Sequence, residues 1–233
     1  MSLAVNHLIG FGAKRRAASG FSFEVCTAPT PSTVDQTTPY TFTAASIGTA
    51  AVGRRVLVAM TGNDNGTSMN ITGVTIGGNA ATIVAQSTVN VSPNQAVFAC
   101  LQVDSGTTAD IVVTCDADGS NNMQIQVYAL FGLSSTTPHD TYVENGTTAT
   151  VTGGTIDCPA GGAIFGVVGW RDPGVATTTT WTLTTEVSDA YHDAVISYSH
   201  AYQSYVAAQT GLSVTATASQ APTHYAHALV SYG

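Results

Sequence analysis

The residues of this chain that are able to do chemistry are few and scattered: six histidines, four cysteines and fourteen carboxylates in 233 residues. His139-Asp140 and His192-Asp193 are adjacent pairs with the residue types of a base and an orienting carboxylate. Neighbours in a strand point to opposite faces, so adjacency makes no dyad, and both pairs read as loop residues. His224 and His227 stand three apart on one candidate strand, again on opposite faces. Zinc there would need His192 or His200 from other strands, and surface or interface histidines are the simpler account. A nucleophilic Ser or Cys lacks the strand-turn-helix G-x-S-x-G context. No catalytic residue, metal ligand or cofactor-binding residue is therefore assigned.

Glycoside hydrolysis needs two carboxylates facing one cleft. Asp104, Asp110, Asp116, Asp118, Asp157 and Asp172 fall at strand ends or turns, where Asp bonds the local backbone. Glu186, Asp189 and Asp193 gather beside Trp181 and Tyr191, as a sugar cleft would want, although turn placement explains them more simply. DADGSNN from Asp116 and GNDNGTS from Gly62 are oxygen-rich like calcium loops but lack the twelve-residue spacing with a terminal Glu. They read as hairpin turns, and a calcium ion at the Asp116 or Asp64 turn is left open. The N-x-S/T triplets at Asn65, Asn70, Asn90 and Asn145 follow from a composition rich in Asn and Thr.

Cys26, Cys100, Cys115 and Cys158 have neither zinc-site spacing nor the density of a disulfide scaffold. Three sit in apolar runs, FEVC, VFAC and IVVTC, so the expectation is free buried thiols and folding in a reducing cytoplasm. Charged residues make up 9% of the chain, against roughly 25% in ordinary soluble proteins. Three of the six basic residues are Lys14, Arg15 and Arg16, and past them three basic residues face fourteen acidic ones, about −11 in net charge. Such a body repels nucleic acid.

Those three cations follow an apolar lead-in, LAVNHLIGFGA from Leu3 to Ala13. A signal peptide has the opposite order, charge before apolar stretch. The stretch, about a dozen residues, is also too short to span a bilayer. Residues 1–19 thus read as a docking arm, with Leu3, Val5, Leu8, Ile9, Phe11, Lys14, Arg15 and Arg16 as its contact residues, and no membrane partner is expected.

Positioning falls to strands. Twelve runs of β-branched and aromatic residues are separated by Gly, Asn, Asp, Ser and Pro. They are PYTFTAA from Pro39, RRVLVAMT from Arg54, NITGVTI from Asn70, ATIVAQS from Ala81, QAVFACLQV from Gln95 and ADIVVTC from Ala109. The others are MQIQVYALF from Met123, AIFGVVGW from Ala163, TWTLTTE from Thr180, AVISYSHAYQSY from Ala194, GLSVTATA from Gly211 and HYAHALVSY from His224. No window shows a capped 3.6-residue apolar stripe, so the fold class is all-β, an antiparallel β-sandwich or jelly roll. In MQIQVYALF one face carries Met123, Ile125, Val127, Ala129 and Phe131 and is buried. The other carries Gln124, Gln126 and Tyr128 and is wet or at an interface. Ile196, Tyr198, His200 and Tyr202 share an aromatic face that reads as a cross-strand ladder or as a contact.

An approximate internal repeat runs through these strands. AVGRRVLVAM from Ala51 answers PAGGAIFGVV from Pro159, QAVFACLQV answers VISYSHAYQ, ADIVVTC answers LSVTATA, and MQIQVYALFG answers HYAHALVSYG, in the same order. The expected organisation is an arm over 1–19 and a body over 20–233, with half-repeats at about 40–133 and 149–233. Leu133 to Thr148 reads as the linker, and Cys26 to Pro39 as an extended connection.

The stretches YTFTAASIGTAAVGRRVLVAM, VTIGGNAATIVAQS, DSGTTADIVVT and VYALFGLSSTTPHDT, with the opening MSLAVNHLIGFGA, resemble modules of tailed bacteriophages and of gene-transfer-agent-like prophages of alphaproteobacteria. The resemblance implies an external virion part: a head fibre, decoration protein, spike or minor tail protein. It carries over no active-site residue. Read with the arm, it predicts a non-enzymatic structural protein that docks on capsid or tail proteins. It would be a homo-oligomer, with a trimer favoured, located in the virion and folded in the host cytoplasm. The alternative is a carbohydrate-binding module for host-surface glycans, with Trp170, Trp181, Tyr191 and Tyr198 as contacts.

Overall fold

The structure, a computed structural model, describes residues 20–27, 38–64, 69–88, 94–116, 121–151, 154–171, 176–182, 185–192 and 196–233. The chain is all-β, and no helix occurs among these residues. Residues 22–131 supply two antiparallel sheets. The first inner sheet is built from β1 (Ser22–Val25), β3 (Arg55–Asp64), β6 (Thr82–Gln86), β7 (Asn94–Gln102) and β9 (Asn121–Phe131), in the order β1-β9-β3-β7-β6. The first outer sheet holds β2 (Tyr40–Ser46), β4 (Ile71–Ile76), β5 (Asn79–Ala80) and β8 (Thr108–Cys115), ordered β2-β8-β4-β5.

Residues 140–232 repeat the plan. The second inner sheet has β10 (Asp140–Gly146), β13 (Ala163–Arg171), β15 (Thr185–His192), β16 (Ile196–Ser204) and β19 (His224–Tyr232), ordered β10-β19-β13-β16-β15. Its outer layer is two small sheets. One is ordered β11-β18-β14, from β11 (Thr150–Val151), β14 (Thr179–Trp181) and β18 (Ala216–Ala218). The other pairs β12 (Thr155–Cys158) with β17 (Gln209–Ser213).

The two inner sheets match strand for strand, down to their irregularities. Ala59 pairs with Phe98 as Val167 pairs with His200, and Met60 pairs with Ile125 as Val168 pairs with His227. On the edge strands the register slips between Ile83 and Ala85 in β6 and between Glu186 and Ser188 in β15. A bulge at the same place in both halves twists each exposed edge away from further pairing. The turn ahead of the central strand also recurs: Arg54 N–H donates to Ala51 O, and Gly162 N–H to Pro159 O. A carboxylate clasps each half at a second point. Glu24 Oε2 accepts from Thr49 N–H at 2.8 Å, and Asp140 Oδ2 accepts from Asp157 N–H at 2.8 Å.

The four layers enclose three cores. Between the first outer and inner sheets lie Tyr40, Phe42, Ile71, Val74, Ile111, Val113, Val56, Val58 and Ile125. Between the inner sheets, Leu57, Phe98, Tyr128 and Leu130 meet Phe165, Val167, Val230 and Tyr232. Here Tyr128 and Phe165 ring centroids are 4.7 Å apart, and Phe23 packs edge-on to Phe165 at 5.1 Å and to Tyr202 at 5.0 Å. The third core, beneath the small outer sheets, gathers Val151, Ile156, Ile164, Val168, Trp170, Trp181, Val214 and Leu229. A strand covered on both faces loses the apolar-polar alternation of a one-sided sheet. That explains why β13 and β19 are buried nearly end to end.

Several sequence expectations need correcting. Segment 133–148 is not wholly a linker, because β10 lies within it and pairs with β19 from Asp140↔Ser231 to Gly146↔Tyr225. As a half-exposed edge strand with mixed residues, it has no apolar run to announce it. The halves accordingly begin with β1 and β10, ahead of the boundaries the sequence suggests. The runs TWTLTTE and GLSVTATA each contribute to two sheets, because the chain changes sheet within them. His192 closes β15 rather than lying in a loop. Of the two readings of the Gln124, Gln126 and Tyr128 face, wet or at an interface, the second holds: the face is buried between the halves.

All four cysteines are free and buried. Burial raises the thiols of Cys26, Cys100 and Cys158 to about 11 and that of Cys115 to about 12. With almost no thiolate and no access, none should react in the native protein at pH 8. A thiol titration should find about zero reactive groups natively and four in denaturant; rapid native labelling would contradict this packing.

Candidate functional site

The internal repeat separates what the fold requires from what has been added. At a few matched positions an apolar residue of the first half gives way to a polar or aromatic group in the second. Met123, paired with Gly62, is matched by Tyr225, paired with Trp170. Ile125 is matched by His227, and Phe98 by His200. Chemically capable side chains are thus concentrated on the second inner sheet.

Its outward face holds one cluster. Glu144 on β10 stands directly across from His227 on β19. Tyr142 OH donates to Glu144 Oε2 at 3.0 Å, and Tyr225 OH donates to Oε1 at 2.8 Å. Trp170 meets the Tyr225 ring edge-on at 5.7 Å, and Trp181 lies 5.7 Å from the His227 ring. Trp170 Nε1–H donates to Thr179 Oγ1 at 2.9 Å, and Trp181 Nε1–H to Ser199 Oγ at 2.8 Å. Gly166 makes room, since a Cβ there would stand 3.0 Å from both the Trp181 ring and Leu229. Burial, reinforced by Glu144, raises the Tyr225 hydroxyl far above its ordinary range, and burial raises that of Tyr142. Both tyrosines therefore stay protonated donors to a carboxylate. Tyr225→Phe deletes one such bond and should cost about 1.5–3 kcal/mol in a urea titration; a change below about 0.5 kcal/mol would show the bond to be idle.

The opposite face of the same sheet forms a polar seam against the first half. Thr61, Asn122 and Gln124 are buried there with Oγ1, Oδ1 and Oε1 unpartnered, as is Nε2 of His200. Ser188 Oγ lies 3.4 Å from His200 Nδ1. Gly169 lets the sheets close, because a Cβ there would sit 3.3 Å from Thr61.

On the edge strand β15, Glu186 shares a side-chain hydrogen bond with Asp189, and desolvation together with the Asp189 charge raises the Glu186 carboxyl. Asp189 Oδ2 also accepts from Thr179 N–H at 2.9 Å, and Tyr191 is exposed on the same strand. Asp193, counted with this group from sequence, lies outside the described residues.

The four aromatic residues read from sequence as glycan contacts do not share an exposed face. Trp170 and Trp181 are in the third core, Tyr198 is buried in the interface between the halves with its hydroxyl 3.3 Å from Asn122 O, and Tyr191 alone of the four is exposed. Trp170, Trp181 and Tyr198 each sit on a strand whose neighbours cover it. Ile196, Tyr198, His200 and Tyr202 do share a face, and it belongs to the inter-half core. His227, read as a surface or interface histidine, is fully buried. The arm residues Leu3, Val5, Leu8, Ile9, Phe11, Lys14, Arg15 and Arg16 lie outside the described residues, as does the Cys26–Pro39 connection over 28–37.

Four aspartates bond backbone N–H groups, Asp104 and Asp116 at strand ends and Asp110 and Asp157 within β8 and β12, while Asp118 and Asp172 lie outside the described residues. Asp104 accepts from Gly53 N–H, Asp110 from Ala44 N–H, Asp116 from Asn70 N–H and Asp157 from Gly211 N–H, at 2.7–2.8 Å. Asp64 and Asn121 pair across β3 and β9, so both candidate calcium turns open from one end of the first inner sheet. Residues 65–68 and 117–120 of those turns are outside the described set, and no group of three metal-ligating side chains occurs among the described residues.

Two features escaped the sequence reading. Tyr142 and Glu144 are spaced two apart, the spacing that puts both on one strand face, but they stood in an assumed linker. Arg54 is fully buried and donates to four carbonyls, Val103 O, Gly48 O, Gly106 O and Ser105 O, at 2.8–2.9 Å. No family model, no curated protein and no solved structure matches this chain.

Proposed function

We propose that the chain is a non-enzymatic structural component of a tailed-phage-like virion, its tandem sandwich exposed and its N-terminal arm docked on capsid or tail protein. The observation that carries this reading is where the described body spends its capable side chains. Among the described residues His200, His227, both tryptophans and all four cysteines are built into walls between sheets, and aspartates bond backbone N–H groups. Such a body offers neighbours a weakly charged, hydrogen-bonding exterior. The segments that resemble phage modules support the assignment to a virion, and the apolar-then-basic order of residues 3–16 supports docking. Homo-oligomerisation, as a trimer, belongs to the same proposal, and light scattering on the purified protein checks it. The direct experiment compares the full chain with residues 20–233 in particles assembled in the source cell. The full chain should be recovered in purified particles and the truncated chain should be lost from them while remaining folded; truncated protein that loads normally overturns the docking role.

The second reading, recognition of host-surface glycans, is favoured by one observation: the hydrogen-bonded Glu186 and Asp189 pair lies on the same edge strand as exposed Tyr191. A glycan array should then show binding that Tyr191→Ala abolishes. An empty array removes this reading without touching the first.

A further inference from the structure

We propose that the second half is an acid-labile unit: mild acid opens residues 140–232 while the first sandwich keeps its fold. The geometry rests on two imidazoles on opposite faces of one sheet. His200 is buried against the first half with Nε2 unpartnered, and His227 is buried in the third core with neither ring nitrogen hydrogen-bonded. Protonating either places a charge in a wall between sheets. The first half carries Phe98 and Ile125 at these two positions, and no histidine at all occurs between residues 20 and 131.

The surroundings of each imidazole offer little to stabilise its cation. Beside His200 stand Ser188 from β15, at 3.4 Å, and Val167, its pairing partner on β13, while Thr61 and Asn122 of the first inner sheet meet the same face at Gly169 and Tyr198. The titratable groups of that core are Tyr198, Tyr202, Tyr128, Tyr232 and Cys100, with Arg55 at the near end of β3. Facing His227 are Glu144 and Tyr142 on β10, Tyr225 on its own strand, Cys158 on β12, and, beyond Trp181, Asp189 and Glu186 on β15. Glu144 is the nearest carboxylate partner across the strands, and both its oxygens already hold tyrosine hydroxyls.

Loss of water holds both imidazoles down to about 3, against 6.5 for a free side chain. A base whose folded pKa is depressed binds protons preferentially when unfolded. Stability is therefore complete above about pH 6.5 and is lost as pH falls towards 3. Each histidine changes the folding equilibrium about tenfold per pH unit in that window, so the pair supplies roughly a 10³-fold loss between pH 7.5 and 5.0.

Built-in reporters distinguish the halves. Both tryptophans, Trp170 and Trp181, and Cys158 lie in the second, whereas Cys26 and Cys115 are buried in the first core. The full-length protein is acidified from pH 7.5 to 4.0 while tryptophan emission is followed and thiols are labelled with a dipyridyl disulfide, which still reacts in acid. Emission should shift to the red and Cys158 should label at a pH where Cys26 and Cys115 remain blocked. His227→Ile, and the pair His200→Phe with His227→Ile, borrow the first-half residues and should move the midpoint at least one pH unit towards acid. Simultaneous labelling of Cys26, Cys115 and Cys158, or a midpoint unmoved in the folded His227→Ile variant, overturns the proposal.

Discussion

Replacing Arg54 by alanine should destabilise the protein by about 3–5 kcal/mol, one of the largest losses expected of any single change in the first half. The guanidinium is completely buried and holds carbonyls from two separate loops, Gly48 on one side and Val103, Ser105 and Gly106 on the other. Burial lowers its pKa while the Glu24 and Asp104 carboxylates oppose the shift, and an arginine remains cationic under any native condition. Truncation strips charged donors from four carbonyls at once and leaves a void where the side chain ran. Arg54→Lys keeps the charge, but one ammonium cannot reproduce a planar fork, and a loss of about 2 kcal/mol is expected. Urea titrations followed by circular dichroism measure both. Equal stability of Arg54→Ala and wild type would mean that the loops hold without their clamp.

The second large effect is at Trp170. Its side chain is fully buried, bonded through Nε1–H to Thr179 and packed edge-on against Tyr225. Trp170→Ala should cost about 3–5 kcal/mol, because the void is walled by β-sheet on either side and cannot collapse. The loss should reach the Tyr225–Glu144 bond as well, since the tryptophan ring supports the tyrosine ring. A double-mutant cycle with Tyr225→Phe should therefore show coupling of about 0.5–1.5 kcal/mol. A small loss, below about 1 kcal/mol, would contradict the packing described for the third core.

Much of the fold was legible because the strands announce themselves. Runs such as RRVLVAMT, QAVFACLQV and AIFGVVGW each became a central strand, and the four pairs of answering segments occupy matching places in the two halves. The edge strands were harder. β1 and β10 pair on one side only, so they need no apolar run, and β10 reads like a connection. Two-sidedness was also hidden. Gln124 and Gln126 left a wet face and an interface both open because their chemistry is polar, and nothing local tells that a second sandwich covers them. The candidate site was less legible. Of the four aromatics read as glycan contacts Tyr191 is exposed, but Trp170, Trp181 and Tyr198 had the same local signature and are buried. Burial in a four-layered body depends on which sheet lies opposite, which no single strand encodes. Glu144 and His227 meet only through the register of β10 on β19, a contact between residues more than eighty positions apart.

The halves have diverged in an informative direction. Towards its outer sheet the first keeps apolar residues such as Met123 and Ile125, where the second has Tyr225 and His227, whereas on the face between the halves Gln124 and Gln126 of the first are matched by Ala226 and Ala228. Such polar interiors make stability responsive to conditions, which an apolar core does not. For the virion role proposed above, one firm half and one that yields would suit a part that passes through assembly and delivery.

The central claim is that residues 3–16 seat the protein on a particle and leave the tandem sandwich outside. A cryo-EM map of the particle tests it most directly. The account predicts density for the two sandwiches projecting from the capsid or tail surface, with the segment from Leu3 to Arg16 continuous with that density and buried against the protein beneath. A map in which the body is held to the particle by its sheets and the arm segment touches no particle protein would contradict it.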